Sequence, residues 1–312
     1  MINNMQGISL ALMATALFAI AAAMSKVAAA EYHVLQILFI RQIIVFLSVL
    51  PTVVKTFPNN LKTNHLGLHS LRLIGAFAAL ATGIWAVSVL PLTTATVLAF
   101  SQVFFVTLLA LWFLKEPVGL ARISAVLLGF IGVIIVMRPS VDGVLHAHSL
   151  IAITGAFGAA IAVTCVRKLS QSDSTTTLLT YQAIFVGLIA GIPMLWLWVT
   201  PTWSDLLLMV GIGLIATIAQ WLGIMALRAG EASVIGSIEY LKLIYAALLG
   251  YLLFSEIPDF YTIIGATIII TSALYTVHRE ARHKNRIVQT SKTMQQPIRM
   301  SVTIRPADSP VI

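Results

Sequence analysis

Ten long apolar runs alternate with short polar breaks along the 312-residue chain. A helix that crosses a bilayer needs about 20 mostly apolar residues, and each run comes close to that length. The pattern therefore predicts an all-α polytopic membrane protein with ten transmembrane helices. The predicted spans are approximately 7–26, 34–54, 70–89, 93–113, 120–137, 148–167, 177–198, 205–227, 232–254 and 259–277.

Composition supports this class, because 59% of the residues are hydrophobic, only 10% are charged, and the mean hydropathy is +0.97. No soluble core of this size can hide so much apolar surface. A cleaved signal peptide is not expected, since Met1–Gln6 carries no basic residue. The one cysteine, Cys165, excludes an internal disulfide framework.

The positions of Lys and Arg predict how the spans are oriented. With a cytoplasmic N-terminus, fifteen of the nineteen basic residues lie inside, in loops, near span ends or in the tail. We therefore expect both termini to be cytoplasmic, in a bacterial inner membrane. The tail, 279–312, is basic and polar, and disorder is predicted there. It would face anionic membrane lipid, which accounts for the net charge of +8 without a nucleic acid partner.

The two halves of the chain resemble each other. FSQVFFVTLLALWFLKEPV, residues 100–118, aligns without gaps with YLKLIYAALLGYLLFSEIP, residues 240–258, so that Phe100 falls on Tyr240 and Glu116 on Glu256. An odd number of crossings inverts the second copy. We expect a first five-helix repeat at 7–138 and a second at 148–278, an arrangement characteristic of secondary transporters that rock two halves around a midplane site.

Ten spans, a duplicated five-helix unit and two Glu-terminated hairpins resemble the drug/metabolite transporter superfamily, EamA type. The resemblance covers about 7–278, and its matching segments are LFIRQ (38–42), LPLTTATVLAFSQVFFVTLLALWFLKEPV (90–118), GFIGVIIVMRP (129–139) and ASVIGSIEYLKLIYAALLGYLLFSEIP (232–258). It implies a basket of ten helices around a central cavity that opens alternately to each side. Similar members export amino acids and related metabolites, or import compounds such as riboflavin or S-adenosylmethionine.

Ionisable groups within membrane spans are costly, so each needs a partner or a cavity. Three such residues are the clear candidates for a site: Arg41, Glu239 and Lys242. Glu239 and Lys242 are three residues apart near the middle of span nine, close enough to pair on one helix. They either neutralise each other or face a cavity, where they hold a zwitterionic or charged substrate or a proton. Arg41 either clamps a substrate carboxylate or phosphate or braces helix ends through backbone carbonyls.

Uncharged polar and aromatic residues complete the predicted substrate site. Gln102 aligns with Lys242 in the repeat, which makes this depth polar in both halves. Gln220 is an embedded amide, for which a hydrogen bond between helices is the ordinary role. Trp85 and Trp221 occupy roughly corresponding positions in the repeats, and with Tyr240 they are candidates for stacking on a substrate.

Neither a metal site nor a cofactor is expected. His65 and His69 are four residues apart, and His146 and His148 flank one residue, but neither set supplies enough ligands. We interpret them as exposed loop histidines. The sequence contains no phosphate-binding glycine loop. An intramembrane enzyme would need His, Asp or paired carboxylates at one depth, and a structural or signalling protein would need neither the repeat nor the buried charges.

The leading hypothesis is therefore a secondary transporter, not an enzyme, that moves a small polar metabolite by alternating access. Export of an amino acid or a related compound is the first expectation. The alternative is uptake of a vitamin or nucleoside-like compound such as riboflavin or S-adenosylmethionine. The substrate gradient or protons would drive transport, and the protein would act as a monomer or a homodimer.

Overall fold

The computed structural model describes residues 4–57, 63–113, 120–137, 144–169, 172–229, 235 and 238–275, and the regular structure among them is helical. The helices are α1 (Asn4–Ala28), α2 (Val34–Thr56), α3 (Leu66–Val89), α4 (Leu92–Ala99), α5 (Gln102–Phe113), α6 (Leu120–Met137), α7 (Val144–Leu169), α8 (Thr175–Gly191), α9 (Met194–Leu197), α10 (Trp203–Ala229), α11 (Leu241–Phe254) and α12 (Phe260–Tyr275). The predicted tail lies outside the described residues.

The apolar runs form helices because lipid offers no partner to the backbone, and a helix satisfies its own N–H and C=O groups. Within the described residues, six helical stretches are long and apolar enough to cross a membrane, with α4 and α5 counted as one stretch. The four shorter apolar helices α6, α8, α11 and α12 bring the total to ten. Large apolar side chains such as Leu195 and Leu207 are exposed, as expected of a lipid-facing surface. The ten predicted transmembrane helices are confirmed.

Successive spans cross the bilayer in opposite directions, so the connections fall on two sides. We call the side at which α1, α3 and α8 begin the N-side. The other is the opposite side, where α1 and α11 end and where α3 turns into α4. The first half comprises α1–α6 and the second half α7–α12.

Two spans that the sequence predicts as continuous helices are interrupted near their middle. Span four breaks between α4 and α5, where Phe100 N bonds Val97 O at 3.1 Å and Ser101 N bonds Leu98 O at 3.1 Å. The Ser101 hydroxyl also donates to Leu98 O, an example of a short polar side chain competing for helix carbonyls. In span nine, Glu239 and Tyr240 form a turn before α11. The breaks fall at positions related by the repeat.

The inverted repeat is visible in the packing. α1 packs along α10 and α3 packs along α7, which are equivalent pairs when the halves are exchanged. The repeat-related Phe100 and Tyr240 stack on each other, with ring centroids 5.1 Å apart and an interplanar angle of 27°. Corresponding residues of an inverted repeat meet only close to its pseudo-twofold axis. The chain is therefore built as two inverted five-helix repeats.

Small residues allow the helices of the two halves to approach closely. A Cβ added to Gly75 of α3 would lie 2.6 Å from the carbonyl oxygen of Gly158 in α7, a separation that real side chains do not reach. Gly132 of α6 and Gly265 of α12 face each other in the same way. These contacts are typical of membrane helices, whose interfaces use small residues instead of large apolar ones.

Candidate functional site

A cavity in the middle of the bundle has two chambers, of about 330 Å³ and about 240 Å³. The larger lies among α1, α3, α7 and α10, where most of its wall is small and apolar. The smaller extends towards the N-side, along the first half of α1 and the segment before α11. Their combined size suits a small molecule. Five residues line both chambers: Phe18, Thr96, Ala99, Gln102 and Lys242.

Lys242 and Gln102 occupy the zone shared by the chambers. Gln102 is the first residue of α5 and Lys242 the second residue of α11, so both follow the break in their span. The repeat aligns these two positions, and the structure brings both to the same cavity. The Lys242 ammonium lies 5.6 Å from the centroid of the Phe18 ring, within cation–π range. This contact leaves the ammonium able to meet an anionic group of a ligand.

Glu239 is exposed and lines the smaller chamber, within the turn that precedes α11. Ion pairs with an N···O distance within 4.0 Å occur in the described part of the chain at Lys26–Glu256 and His69–Asp173. Glu239 and Lys242 therefore do not neutralise each other by direct contact. The alternative of a self-contained pair on one regular helix fails because Glu239 lies in the turn before α11.

Arg41 lines the larger chamber from α2. Its Nε is buried and has no hydrogen-bond partner among the described residues. An unpaired buried donor is costly, so this guanidinium has unused capacity for a ligand. The other role considered for Arg41 was to brace helix ends through backbone carbonyls. Its Nε makes no such bond.

Four predicted site residues do not line the chambers. Trp85 is 48% exposed and Trp221 is 63% exposed, so neither indole stands in the cavity wall. Gln220 is only partly buried and lies beside Trp221 on α10. Tyr240 is buried against Phe100 and forms part of the core between the halves. The expectation that these aromatic rings stack on a substrate inside the cavity does not match this geometry.

On the N-side, a buried group that we call the N-side cluster joins α3 to the second half. His69 Nε2 lies 2.7 Å from Asp173 Oδ2, and the hydroxyl of Thr63 donates to the same oxygen at 2.8 Å. Burial alone raises the pKa of Asp173, but hydrogen bonds from His69, Thr63 and Ser172 outweigh it and hold that pKa below its ordinary value. The interpretation of His69 as an exposed loop histidine is wrong, since it is 1% exposed.

Arg72 extends the N-side cluster one turn deeper into α3. It is 4% exposed and donates to Leu178 O at 3.1 Å and to Gln182 Oε1 at 2.9 Å, both on α8. His69 also packs on the ring of Tyr181, with centroids 4.8 Å apart. Arg72 is one of the fifteen basic residues that the sequence assigns to the inside, and its contacts with α8 were not predicted. The available signal was its position within the predicted span 70–89.

On the opposite side, Lys26 meets Glu256. Lys26 Nζ lies 2.6 Å from Glu256 Oε1 and donates to Leu90 O at 2.6 Å. Glu256 Oε2 accepts from Leu92 N at 2.7 Å. These contacts connect the end of α1, the α3–α4 hairpin and the end of α11.

A second contact on the opposite side joins Tyr32 to the start of α10. The Tyr32 hydroxyl donates to Asp205 Oδ2 at 2.7 Å, and the Thr202 hydroxyl donates to the same oxygen at 2.5 Å. The Gln36 amide donates to Val199 O and accepts from Val199 N, so it joins α2 to the segment between α9 and α10.

The sequence matches the model of the EamA-like transporter family twice, at residues 5–138 and 147–277. The chain belongs to the EamA-like transporter family. The two matches correspond to the two halves of the fold, and together they cover most of the chain. It is therefore a multi-pass membrane transporter and not an enzyme.

Relatives in this family transport different compounds. The chain is 29% identical to the S-adenosylmethionine uptake transporter of Rickettsia bellii, over 83% of this chain and 89% of that protein. It is 30% identical to the riboflavin transporter of Vibrio cholerae, over 73% of this chain and 76% of that protein. It is 26% identical to the pseudopaline exporter of Pseudomonas aeruginosa, over 86% of this chain and 94% of that protein.

A solved crystal structure shares the fold, with a TM-score of 0.61 over 90% of this chain and 99% of that one. Its sequence identity is 14%, so this likeness concerns the arrangement of helices alone.

Proposed function

We propose that the protein is a secondary transporter of a bacterial inner membrane that takes up a nucleoside-like or vitamin compound, with S-adenosylmethionine as the first candidate. The relatives favour this function over the amino acid export expected first, since they include uptake proteins for S-adenosylmethionine. Riboflavin is the second candidate, because a relative at 30% identity carries it.

The observation that carries the choice of substrate is the presence of both charge signs in the cavity wall. Arg41 and Lys242 offer cationic groups in the larger chamber, and Glu239 offers a carboxylate in the smaller one. S-adenosylmethionine carries a carboxylate, an ammonium group and a sulfonium group, so it can meet both signs. Riboflavin has no fixed charge at neutral pH and would leave these groups without partners, which is unfavourable at membrane depth.

In the proposed complex, Arg41 and Lys242 hold the carboxylate of the substrate, and Glu239 holds a cationic centre. Gln102 adds an amide where the two chambers meet. Alternating access by the two halves would then move the substrate between sides. The charge bias of the loops supports an N-side that faces the cytoplasm. Protons are the candidate coupling ion. The candidate assemblies are a monomer and a homodimer.

The test is uptake by the purified protein in proteoliposomes, with labelled S-adenosylmethionine and riboflavin assayed in parallel, each with and without a pH gradient. We expect saturable uptake of S-adenosylmethionine that excess unlabelled compound abolishes. Transport of riboflavin alone would replace the first candidate by the second. Transport of amino acids alone would contradict the proposed uptake function.

The site is tested by Arg41→Gln, Glu239→Gln and Lys242→Met. Each removes one charge-assisted hydrogen bond, so transport efficiency should fall by about 10-fold to 100-fold. The matched controls are Lys168→Met, an exposed cation of α7, and Glu31→Gln, an exposed carboxylate between α1 and α2. If Glu239→Gln and Lys242→Met both transport at the parent rate between about pH 5.5 and about pH 8, the assignment is wrong.

A further inference from the structure

We propose that Lys26 and Glu256 form a latch that closes the cavity on the opposite side, and that each transport cycle breaks and re-forms this ion pair. The inference goes beyond the proposed function, because it concerns access to the cavity and holds for any substrate.

The latch connects the two halves that must move against each other. Lys26 belongs to the end of α1, and Leu90 and Leu92 flank the turn from α3 to α4, all within the first half. Glu256 follows α11 in the second half. Rocking one half against the other to open the opposite side must separate these groups.

Each of the two charged side chains has two partners: the other charged side chain and one backbone group. The Lys26 ammonium bonds the Glu256 carboxylate and the carbonyl of Leu90, while that carboxylate also accepts from Leu92 N–H. Because the backbone of the hairpin is bound at both ends, the pair fixes the hairpin as well as α11. A loss of the pair therefore releases the α3–α4 connection, not merely two side chains.

The backbone after α11 positions the carboxylate. Ser255 adopts a left-handed conformation, with φ of 54°, which is uncommon for a residue other than glycine. In this turn Glu256 N donates to Gly250 O at 3.0 Å, which directs the chain back over the helix end. A Cβ at Gly250 would lie 3.3 Å from Glu256 Oε2, so a side chain there would crowd the carboxylate.

Beneath the latch lies an apolar plug. Leu90 and Leu92 are 2% and 0% exposed, and they belong to one packed cluster with Leu243 and Ala246 of α11. Val87, from the same cluster, lines the larger chamber. The plug therefore separates the cavity from the latch, and the hairpin that the latch holds supplies part of the plug.

The latch is suited to repeated opening because its charges are not fully buried. The side chains of Lys26 and Glu256 are 15% and 19% exposed, so water can replace part of each interaction as the pair separates. A fully buried pair would leave each charge without hydration when broken. The Phe254 ring, 5.3 Å from Lys26 Nζ, gives the ammonium a further partner.

Access to the cavity can be measured without a substrate. Gly83 lines the larger chamber, and a Cβ there meets nothing within 4 Å, so Gly83→Cys places a thiol in open space. The buried native thiol is removed by Cys165→Ala. A membrane-impermeant maleimide is then added to each side of oriented vesicles in turn, and the rate of labelling is measured.

We expect Lys26→Met and Glu256→Gln each to raise the labelling rate from the opposite side by about fivefold, the population equivalent of one partly exposed ion pair. Lys26→Arg keeps the charge pair and should label like the parent. Glu31→Gln, which removes an exposed carboxylate at the same side, is the matched control. Exchanging the two residues, Lys26→Glu with Glu256→Lys, is not expected to restore the latch. The ammonium donates to a carbonyl and the carboxylate accepts from an N–H group, and neither bond survives the exchange.

The proposal is overturned if the two variants unfold at a lower temperature but label at the parent rate from both sides, since the pair would then be structural only. Size-exclusion chromatography identifies variants that do not fold. If Lys26→Met or Glu256→Gln does not fold, the labelling rates of Lys26→Arg and of the milder Glu256→Asp are compared instead. Glu256→Asp shortens the carboxylate and should raise labelling, whereas equal rates would count against the latch. Because the assay uses no substrate, its failure is independent of a failed uptake assay.

Discussion

The latch on the opposite side and the N-side cluster both join the first half to the second, but they differ in burial and in the number of their contacts. The latch is one ion pair whose side chains are 15% and 19% exposed. In the N-side cluster, the side chains of His69 and Asp173 are 2% and 5% exposed, and Arg72 adds two bonds to α8. The N-side cluster is therefore the contact that costs more to disrupt.

This difference shows what the inverted repeat determines and what it leaves free. Helix packing follows the repeat, since α1 against α10 mirrors α7 against α3. Not every polar side chain follows it. The sequence aligns Arg41 of α2 with Tyr181 of α8, yet Arg41 lines the cavity while Tyr181 packs on His69. One architecture thus carries a cavity-lining cation at one position and a ring that packs on the N-side cluster at the repeat-related position.

The largest expected effect on stability is that of Asp173→Ala. Its removal leaves the His69 ring buried without a partner on Nε2, and Nδ1 already has none among the described residues. Breaking a buried charged contact from one side costs about 3 kcal/mol. The midpoint of thermal unfolding in detergent measures this loss.

Asp205→Ala is the matched control, because Asp205 also accepts from two hydroxyl groups but lies in a more exposed position. It should lower the midpoint by less. Equal losses for both variants would show that burial does not distinguish the N-side cluster from contacts on the opposite side.

A smaller loss, of about 2 kcal/mol, is expected for Arg72→Gln. The shorter amide cannot reach both Leu178 O and Gln182 Oε1, so at least one buried acceptor on α8 loses its charged donor. Lys168→Gln, which removes an exposed cation of α7, should leave the midpoint unchanged. Were the two substitutions to behave alike, Arg72 would not anchor α3 to α8.

Local pattern explains why the fold was predictable. Each of the ten predicted spans corresponds to a helical stretch, because an apolar run in lipid has no alternative to a helix. The gapless alignment of 100–118 with 240–258 pairs Phe100 with Tyr240, and the structure stacks these two rings, a contact that the sequence did not predict. The breaks in spans four and nine were missed, since they depend on hydrogen bonds within a few residues and leave hydrophobicity unchanged.

The candidate site was predictable only in part. Lys242, Glu239, Arg41 and Gln102 stand out as polar groups in apolar runs, and all four line the cavity. Which face of a helix a residue occupies is set by packing, so Trp85 and Trp221 could not be placed from sequence. The partner of His69 lies 104 positions away, and no local pattern indicates a contact over that separation.

Glu256→Gln is expected to have a still smaller effect on stability, about 1 kcal/mol, because the amide oxygen can still accept from Leu92 N–H and only the charge contact is lost. Its effect on access should nevertheless exceed that of Arg72→Gln when both are placed in the Gly83→Cys background. Arg72→Gln should therefore have the larger effect on stability, and Glu256→Gln the larger effect on access. Unfolding midpoints and labelling rates measured on the same samples test this. If Arg72→Gln raises the labelling rate from the opposite side as much as Glu256→Gln does, the N-side cluster and the latch do not have the different roles assigned to them.

The smallest effect concerns pH. Because the hydrogen bonds that hold Asp173 lower its pKa below the ordinary 3.8, its contribution to stability is fully present above about pH 4 and is lost as pH falls through the lower value of the folded state. The unfolding midpoint should therefore show no change due to Asp173 between about pH 8 and about pH 5, and should fall below about pH 4. In Asp173→Asn this acid-side fall should be shallower, since the side chain no longer titrates. A variant curve that runs parallel to the parent curve down to about pH 3 would show that the N-side cluster gains nothing from the ionised carboxylate.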